Sequence, residues 1–463
     1  MKDLKKQIIS YREQVFLCVF VLFVYIILFG NFRKESIDDP YVLSWIYNYL
    51  KFKITMSINF GVDAGQPWSG ISLFGMTQAY IYGPILNTFG FTPNTAYFVS
   101  TILVIIASIL WLKIFIHFGI NKKVAVTGIC LMLLLEPFIF SSNSARSESL
   151  TFFLATLSFY LFINKIYIIS AILAFVAFET HPMGMISGFY ILGYSIAFWN
   201  KIEDKKKVLG LLILGGIVGI SYYLVLHWNY LIALNQLITK MVWVDNSFLA
   251  SNTLFKYFFM QRFYRHIPEF VIILISLGII IRNKEYSNNI PIMKFILCVV
   301  IASFIIGRSQ ETYMIYYYPV LFLLLLIAVE SINARKILIV CIILLVIPQY
   351  SYVFYLYHDY DLNKFTQQIK QELPDDKLPV MGNPNSWYAL HDQDRQFRAY
   401  TSKVVNLEWK EFYIIQNEEF FKWTGHTKAW DEINTMYPSE IISSFEVNGE
   451  RINIRHYSEN IKY

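Results

Sequence analysis

Apolar positions along this chain gather in long unbroken runs separated by short polar stretches, with little of the alternation that marks half-buried strands. A helix crosses the ~30 Å hydrocarbon layer of a bilayer with about 20 mostly apolar residues. Eleven runs approach that requirement: 14–31, 95–117, 123–141, 148–164, 166–180, 183–199, 208–227, 268–282, 292–307, 316–331 and 336–356. The pair 148–164 and 166–180 is joined by little more than Asn164 and Lys165, which predicts a tight helical hairpin or two short tilted helices. The pattern predicts a polytopic α-helical membrane protein of about eleven spans, with residues 1–357 as its transmembrane part.

Three regions fall outside the spans: a loop at 32–94, an aromatic-rich loop at 228–267, and the tail 358–463. The tail changes composition sharply. Short alternating segments at 378–382, 411–415 and 451–455 predict strands, and Leu362 to Leu373 has helical spacing that stops before Pro374. The tail therefore reads as a small external domain of α/β or α+β type.

Composition supports this division. Of 463 residues 56% are hydrophobic and only 16% charged, against about 25% in soluble domains. Such a surface is too poor in charge for a cytosolic enzyme of this size. Cys18, Cys130, Cys298 and Cys341 lie inside apolar runs, where they behave as small hydrophobes. The net charge of +6 hides an asymmetry: residues 1–357 hold 27 Lys and Arg against 16 Asp and Glu, and the tail holds 12 against 17. Every second loop is basic, with Lys122 and Lys123, Lys165, Lys201 with Lys205 to Lys207, Arg282 with Lys284 and Lys294, and Arg335 with Lys336. Short basic loops stay on the cytoplasmic side, so the N-terminus is expected inside and the tail outside. The basic balance is thus a topology signal and excludes a nucleic-acid partner. The first run lacks a cleavage pattern and reads as a retained helix.

The unusual ionisable residues collect at the outer ends of the spans, where such groups mark sites or pair with one another. Asp38-Asp39-Pro40 follows the first span at once. Adjacent carboxylates there suit a base, a metal ligand or a helix cap, with Asp39 at the N-cap and Pro40 at N1. Tyr41 to Lys53 has the character of an amphipathic helix on the membrane surface. Arg146 and Glu148 stand at the ends of two spans and suit either a mutual ion pair or a site. His181 lies in Glu179-Thr180-His181-Pro182. Arg262, Arg265 and His266 form a fourth set, and Arg308 with Tyr313 a fifth. Basic residues facing outward beside the membrane suit a lipid phosphate or ordinary headgroups. Asp359-x-Asp361 and Asp392-x-Asp394 read as solvated loop residues. No P-loop, HExxH or GxSxG motif occurs.

Taken in order, these motifs resemble the GT-C superfamily of integral-membrane glycosyltransferases, in the branch of protein mannosyltransferases and aminoarabinose transferases. Asp38-Asp39 matches in position the acidic pair that opens the family's first external loop, with Asp-Asp in place of the more usual Asp-Glu. Tyr80 to Thr92 is similar to the family's run into its second helix, and Ala145-Arg146-Ser147-Glu148 to its Arg-Pro-Glu element, with Ser147 replacing Pro. Thr180-His181-Pro182 and Tyr313 to Pro319 also have counterparts. The resemblance implies an inverting transfer of sugar from a polyprenyl-phosphate donor to a hydroxyl of a glycan, lipid or protein, on the outer face of the cytoplasmic membrane. It implies Asp38 as the base, Asp39 as a helix cap or as the residue that orients Asp38, and Arg146, Arg265 or Arg308 on the leaving phosphate. Glu148, His181 and Tyr313 would contact substrate. No cofactor is required, and nothing in the sequence supports a divalent cation.

Two other classes fit parts of the pattern. A polysaccharide polymerase or ligase using a diphosphate-linked lipid would use an Arg/His-rich late loop, which 228–267 faintly imitates. A lipid or sugar transporter would show repeats and midplane charges; no repeat is present, and Glu136 before Pro137 is the nearest to a deep charge. The topology is testable by single cysteines in a chain with its four native cysteines replaced. A cysteine at Asn164 should react with impermeant maleimide only from the cytoplasmic side, and one at Asn448 only from the outside.

Overall fold

The computed structural model describes residues 38–53, 75–228, 263–282, 286–306, 311–332, 361–393, 395–399, 409–417 and 437–458, with isolated positions elsewhere. The helices are α1 (Asp38–Phe52), α2 (Met76–Phe89), α3 (Pro93–His117), α4 (Lys122–Leu133), α5 (Glu136–Ser142), α6 (Glu148–Ile163), α7 (Tyr167–Thr180), α8 (Ile186–Ala197), α9 (Lys205–His227), α10 (Phe263–Arg282), α11 (Tyr286–Ile306) and α12 (Met314–Ser331). Their bounds follow the hydropathy closely. The first and last expected spans, 14–31 and 336–356, fall mostly outside the described residues, as do most of the loop 228–267 and the 54–74 part of the first loop.

Among the described residues, four helices are long and apolar enough to cross a membrane: α3, α9, the Asn289–Ile306 part of α11, and α12. A fifth span is made if α4 and α5 count together. They are bent by 68° at Leu134-Leu135, so the expected single run 123–141 is broken. The cause is local: Pro137 has no N–H to donate and crowds the preceding turn, so a helix restarts there more readily than it continues. The helices α6 and α7 are apolar but only 16 and 14 residues long, which fits the expected short hairpin. The expected count of about eleven spans is not reached among the described residues.

α12 is buried along nearly its whole length and α3 along most of it, so they form the centre of the bundle. A helix that is apolar on every side belongs in such a place. α9 is the opposite case, with Leu209, Ile213, Leu214, Ile217 and Val225 exposed as a lipid-facing surface. Its inner face is Gly215 and Gly219, which let α9 lie directly on α7. A Cβ at Gly215 would stand 2.4 Å from the Ile168 carbonyl oxygen, and one at Gly219 would stand 2.6 Å from the Phe175 Cβ.

The tail carries helix α13 (Leu362–Glu372), one short turn α14 (Trp387–Leu390) and five strands: β1 (Val380–Gly382), β2 (Phe397–Ala399), β3 (Glu411–Gln416), β4 (Ser439–Val447) and β5 (Glu450–Ser458). Their order is β2-β1-β3-β5-β4, with β1 parallel to β2 and β3, and β5 antiparallel to β3 and β4. The three expected strands are β1, β3 and β5. The hairpin β4–β5 turns at Asn448-Gly449, both with positive φ (56° and 73°), the backbone an Asn-Gly pair favours. Asp361 caps α13, accepting from the N–H groups of Asn363 and Lys364, and Asp392 pairs with Lys370 at 3.3 Å. Asp359 and Asp394 lie outside the described residues.

The tail meets the membrane part at α1. The Tyr47 hydroxyl donates to the His391 carbonyl at 3.1 Å, and its ring packs edge-on against Trp387, His391 and Phe91.

Gly215→Leu should prise α9 from α7. Overpacking of this kind costs typically about 1–3 kcal/mol, so the purified variant should melt earlier in detergent while Gly210→Leu, whose Cβ would meet nothing within 4 Å, should melt like the parent.

Candidate active site

α1 begins at Asp38, so Asp39 lies inside its first turn rather than preceding the helix as expected. Asp39 is fully buried. Its Oδ1 accepts from the Ser144 hydroxyl at 2.7 Å and the Ala145 N–H at 2.8 Å, and its Oδ2 accepts from the Tyr97 hydroxyl at 2.7 Å. A buried carboxylate is tolerable only when hydrogen-bonded in this way. The three donors come from α3 and from the loop between α5 and α6, so Asp39 ties α1 to both.

That loop is itself buried, and its backbone groups are met by side chains. Gln78 donates its amide to the Ala145 carbonyl at 2.6 Å, Ser100 its hydroxyl to the Ser144 carbonyl at 2.6 Å, and Thr101 to that of Ser142 at 3.2 Å. The Ser144 hydroxyl also accepts the Arg146 N–H at 3.1 Å. The path from the anchored acid to Arg146 is therefore short and stiff.

Arg146 bridges two carboxylates. Its Nη1 is 2.6 Å from Asp38 Oδ2, and its Nη2 is 2.7 Å from Glu148 Oε1. The Asp38 side chain is 46% exposed, against 16% for Arg146 and 2% for Glu148, so the row runs from an open acid to a buried one. Burial disfavours the charge on Arg146, but Glu148 and Asp38 beside it more than offset this, helped by Tyr313 and the hydrogen bond to Glu148. The guanidinium pKa is held above the ordinary arginine value. Glu148 is also approached by the Thr312 hydroxyl at 3.4 Å. The expected Arg146–Glu148 ion pair is present, and the same guanidinium also holds Asp38.

His181 sits at the turn after α7. Its Nδ1 accepts the Met183 N–H at 3.1 Å, which leaves the neutral ring protonated on Nε2, facing the Tyr313 hydroxyl at 3.3 Å. Gly184 makes the turn feasible, because a Cβ there would fall 2.0 Å from the Ala177 carbonyl oxygen. Tyr313 is buried just before α12 and lies in the field of Arg146, so Asp38, Asp39, Arg146, Glu148, His181 and Tyr313 converge from four separate stretches of chain.

Of the three other candidate arginines, Arg262 and Arg308 lie outside the described residues, and Arg265 is in the first turn of α10. His266 is buried, 3.4 Å from Glu269, which accepts from Tyr318. Among the described residues no group of three or more His, Cys, Asp and Glu side chains is placed to hold a metal ion. Sequence reasoning missed Tyr97 and Gln78, uncharged residues within an apolar run and a loop, and gave Ser144 and Thr312 no role beyond their place beside Arg146 and Tyr313. It also passed over Glu179 and His227 as a pair, although two ionisable residues at the ends of α7 and α9 were visible.

Asp39→Asn should strand at least one of the three donors, because an amide presents one acceptor oxygen. Leaving a buried donor unsatisfied costs about 1–3 kcal/mol. Thermal unfolding should therefore show Asp39→Asn well below the parent and Asp38→Asn close to it.

No protein-family model and no curated protein matches the sequence. Solved structures do. ArnT from Cupriavidus metallidurans bound to undecaprenyl phosphate superposes with a TM-score of 0.58 at 9% identity, covering 95% of this chain and 97% of that one. The same protein in the apo state gives 0.60 at 11% identity with the same coverage. Identities this low speak for the fold alone, and over nearly its whole length the chain shares the fold of ArnT.

Proposed function

We propose that the protein is a membrane glycosyltransferase that moves a sugar from a polyprenyl-phosphate donor to an acceptor hydroxyl on the outer face of the cytoplasmic membrane. The observation that carries this reading is the half-exposed Asp38 carboxylate, held at 2.6 Å by an Arg146 that is itself clamped by buried Glu148, in a fold shared with ArnT. A base must meet the hydroxyl at about 2.6–3.2 Å with little freedom. The adjacent anchor Asp39 and the Arg146 fork supply that rigidity.

In this reading the acceptor oxygen attacks the anomeric carbon from the face opposite the phosphate. The new C–O bond forms as the bond to the phosphate oxygen breaks, configuration inverts, and the hydroxyl proton passes to Asp38. The leaving phosphate keeps the bonding pair and gains charge, which a guanidinium fork stabilises well. Both terminal nitrogens of Arg146 already serve carboxylates, so Arg146 positions Asp38 in this scheme. The phosphate falls to Arg265, in the first turn of α10, or to Arg308, a few residues before α12. The His181–Tyr313 pair offers hydrogen bonds to the sugar or its phosphate. The loops and tail outside the membrane would receive the acceptor, a glycan, lipid or protein.

The test is transfer itself. Purified protein in nanodiscs should move labelled sugar from at least one of a panel of polyprenyl-phosphate sugars, and Asp38→Asn should lower the rate by at least about 100-fold, the lower range of acid–base contributions, while still binding donor. Transfer only from diphosphate-linked donors would point instead to a polymerase or ligase. Flipping of lipid without transfer would point to a transporter. Transfer by Asp38→Asn at the parent rate would remove Asp38 from the mechanism.

A further inference from the structure

Glu179 is fully buried at the end of α7, two residues before His181, and the chemistry above makes no use of it. Its carboxylate accepts the Met76 N–H at 2.8 Å through Oε1 and the Thr77 N–H at 3.0 Å through Oε2. These are the first amides of α2, where the free N–H groups and the helix dipole favour an anion. The Glu179 carbonyl accepts a third bond from the Gly75 N–H at 2.8 Å. Gly75 has φ +95°, a left-handed backbone that a side chain would strain, so this approach depends on glycine.

On its other side Glu179 Oε1 meets His227 Nε2 at 3.1 Å, at the last residue of α9, and His227 is also fully buried. A carboxylate oxygen only accepts, so His227 Nε2 is the donor in this contact. The ring packs at a tilt against Tyr223, with centroids 4.7 Å apart, and the adjacent Tyr222 hydroxyl bonds that of Thr77 at 2.8 Å. Gly75 lies within the 32–94 loop, directly before α2, and the 228–267 loop begins just past His227, so one carboxylate reaches both. The residue after Glu179 is fixed too: the Thr180 hydroxyl bonds that of Thr151 on α6 at 2.8 Å. His181 follows directly.

We propose that Glu179 is a positioning residue that locks the start of α2 and the end of α9 to the His181–Tyr313 corner and sets where His181 stands. An ionised side chain taken wholly out of water is costly, and in membrane proteins it is kept where it serves a site. Here the cost is offset by donors from two other elements, so loss of the charge loosens all three segments together. The kinetic part of the proposal rests on the glycosyltransferase reading; the structural part does not.

The test uses the full chain in nanodiscs with Glu179→Gln, which replaces one acceptor oxygen by a donor. Hydrogen exchange should quicken in peptides covering 75–79 and 181–186, where the Met183 N–H reports on the His181 ring, and stay at parent values in α3 and α12. In the transfer assay kcat should fall by about 10- to 100-fold, the range expected for a misplaced site group, with the donor KM within about twofold of the parent. Glu179→Asp, which keeps the charge, should recover part of the loss, and it takes over the test if Glu179→Gln does not fold. Unchanged exchange at 181–186 overturns the proposal, as does an unchanged kcat in a protein whose parent transfers sugar. If the parent transfers nothing, the glycosyltransferase reading fails and the exchange measurement still decides whether Glu179 holds His181.

Discussion

One buried carboxylate governs the arrangement. Asp39 has no exposure, and it is held by a phenol from α3 and by a hydroxyl and an amide from the loop between α5 and α6. A charge so placed would be far too costly without those donors, and the donors would themselves be orphaned without the charge. The interaction therefore fixes three elements at once. The depth of α1 against the bundle, the shape of the 143–147 loop and the direction of Arg146 all follow from it.

The neighbouring acid has a different fate because a helix turns about 100° per residue. Asp39 points into the bundle, and Asp38 points along its edge into reach of Arg146. Two identical side chains, adjacent in sequence, become an anchor and an open carboxylate. The guanidinium between Asp38 and buried Glu148 then carries two charge-assisted bonds, which are shorter and stronger than neutral ones. Rigidity is transmitted from the core to Asp38, the most exposed of the three acids here.

The same economy operates on the far side of the site. Glu179 satisfies the N-terminus of α2 and holds His227 of α9, while the Gly215 and Gly219 face brings α9 close enough for the contact to form. The tail touches this framework through Tyr47 on α1, the helix that begins with the acidic pair. Membrane part and tail are thus joined along the element that carries Asp38.

Much of this was legible from residue order. The helices α3, α6, α7, α9 and α12 begin and end within a few residues of their apolar runs, because lipid and core alike demand continuous apolar surface. The strands β1, β3 and β5 showed their alternation, whereas β2 is too short to show one and most of β4's residues lie at least partly exposed, so neither announced itself. The break at Glu136-Pro137 is a local matter that hydropathy averaging smooths over. The sequence by itself determined the apolar spans, the clustering of charge at their ends and the identity of the acids. Only the tertiary structure decided which acid is buried, that both ends of Arg146 serve carboxylates, and that Glu179 meets His227. Those outcomes depend on distances between residues up to about a hundred positions apart, which are set by helix packing and by the need to satisfy every buried charge.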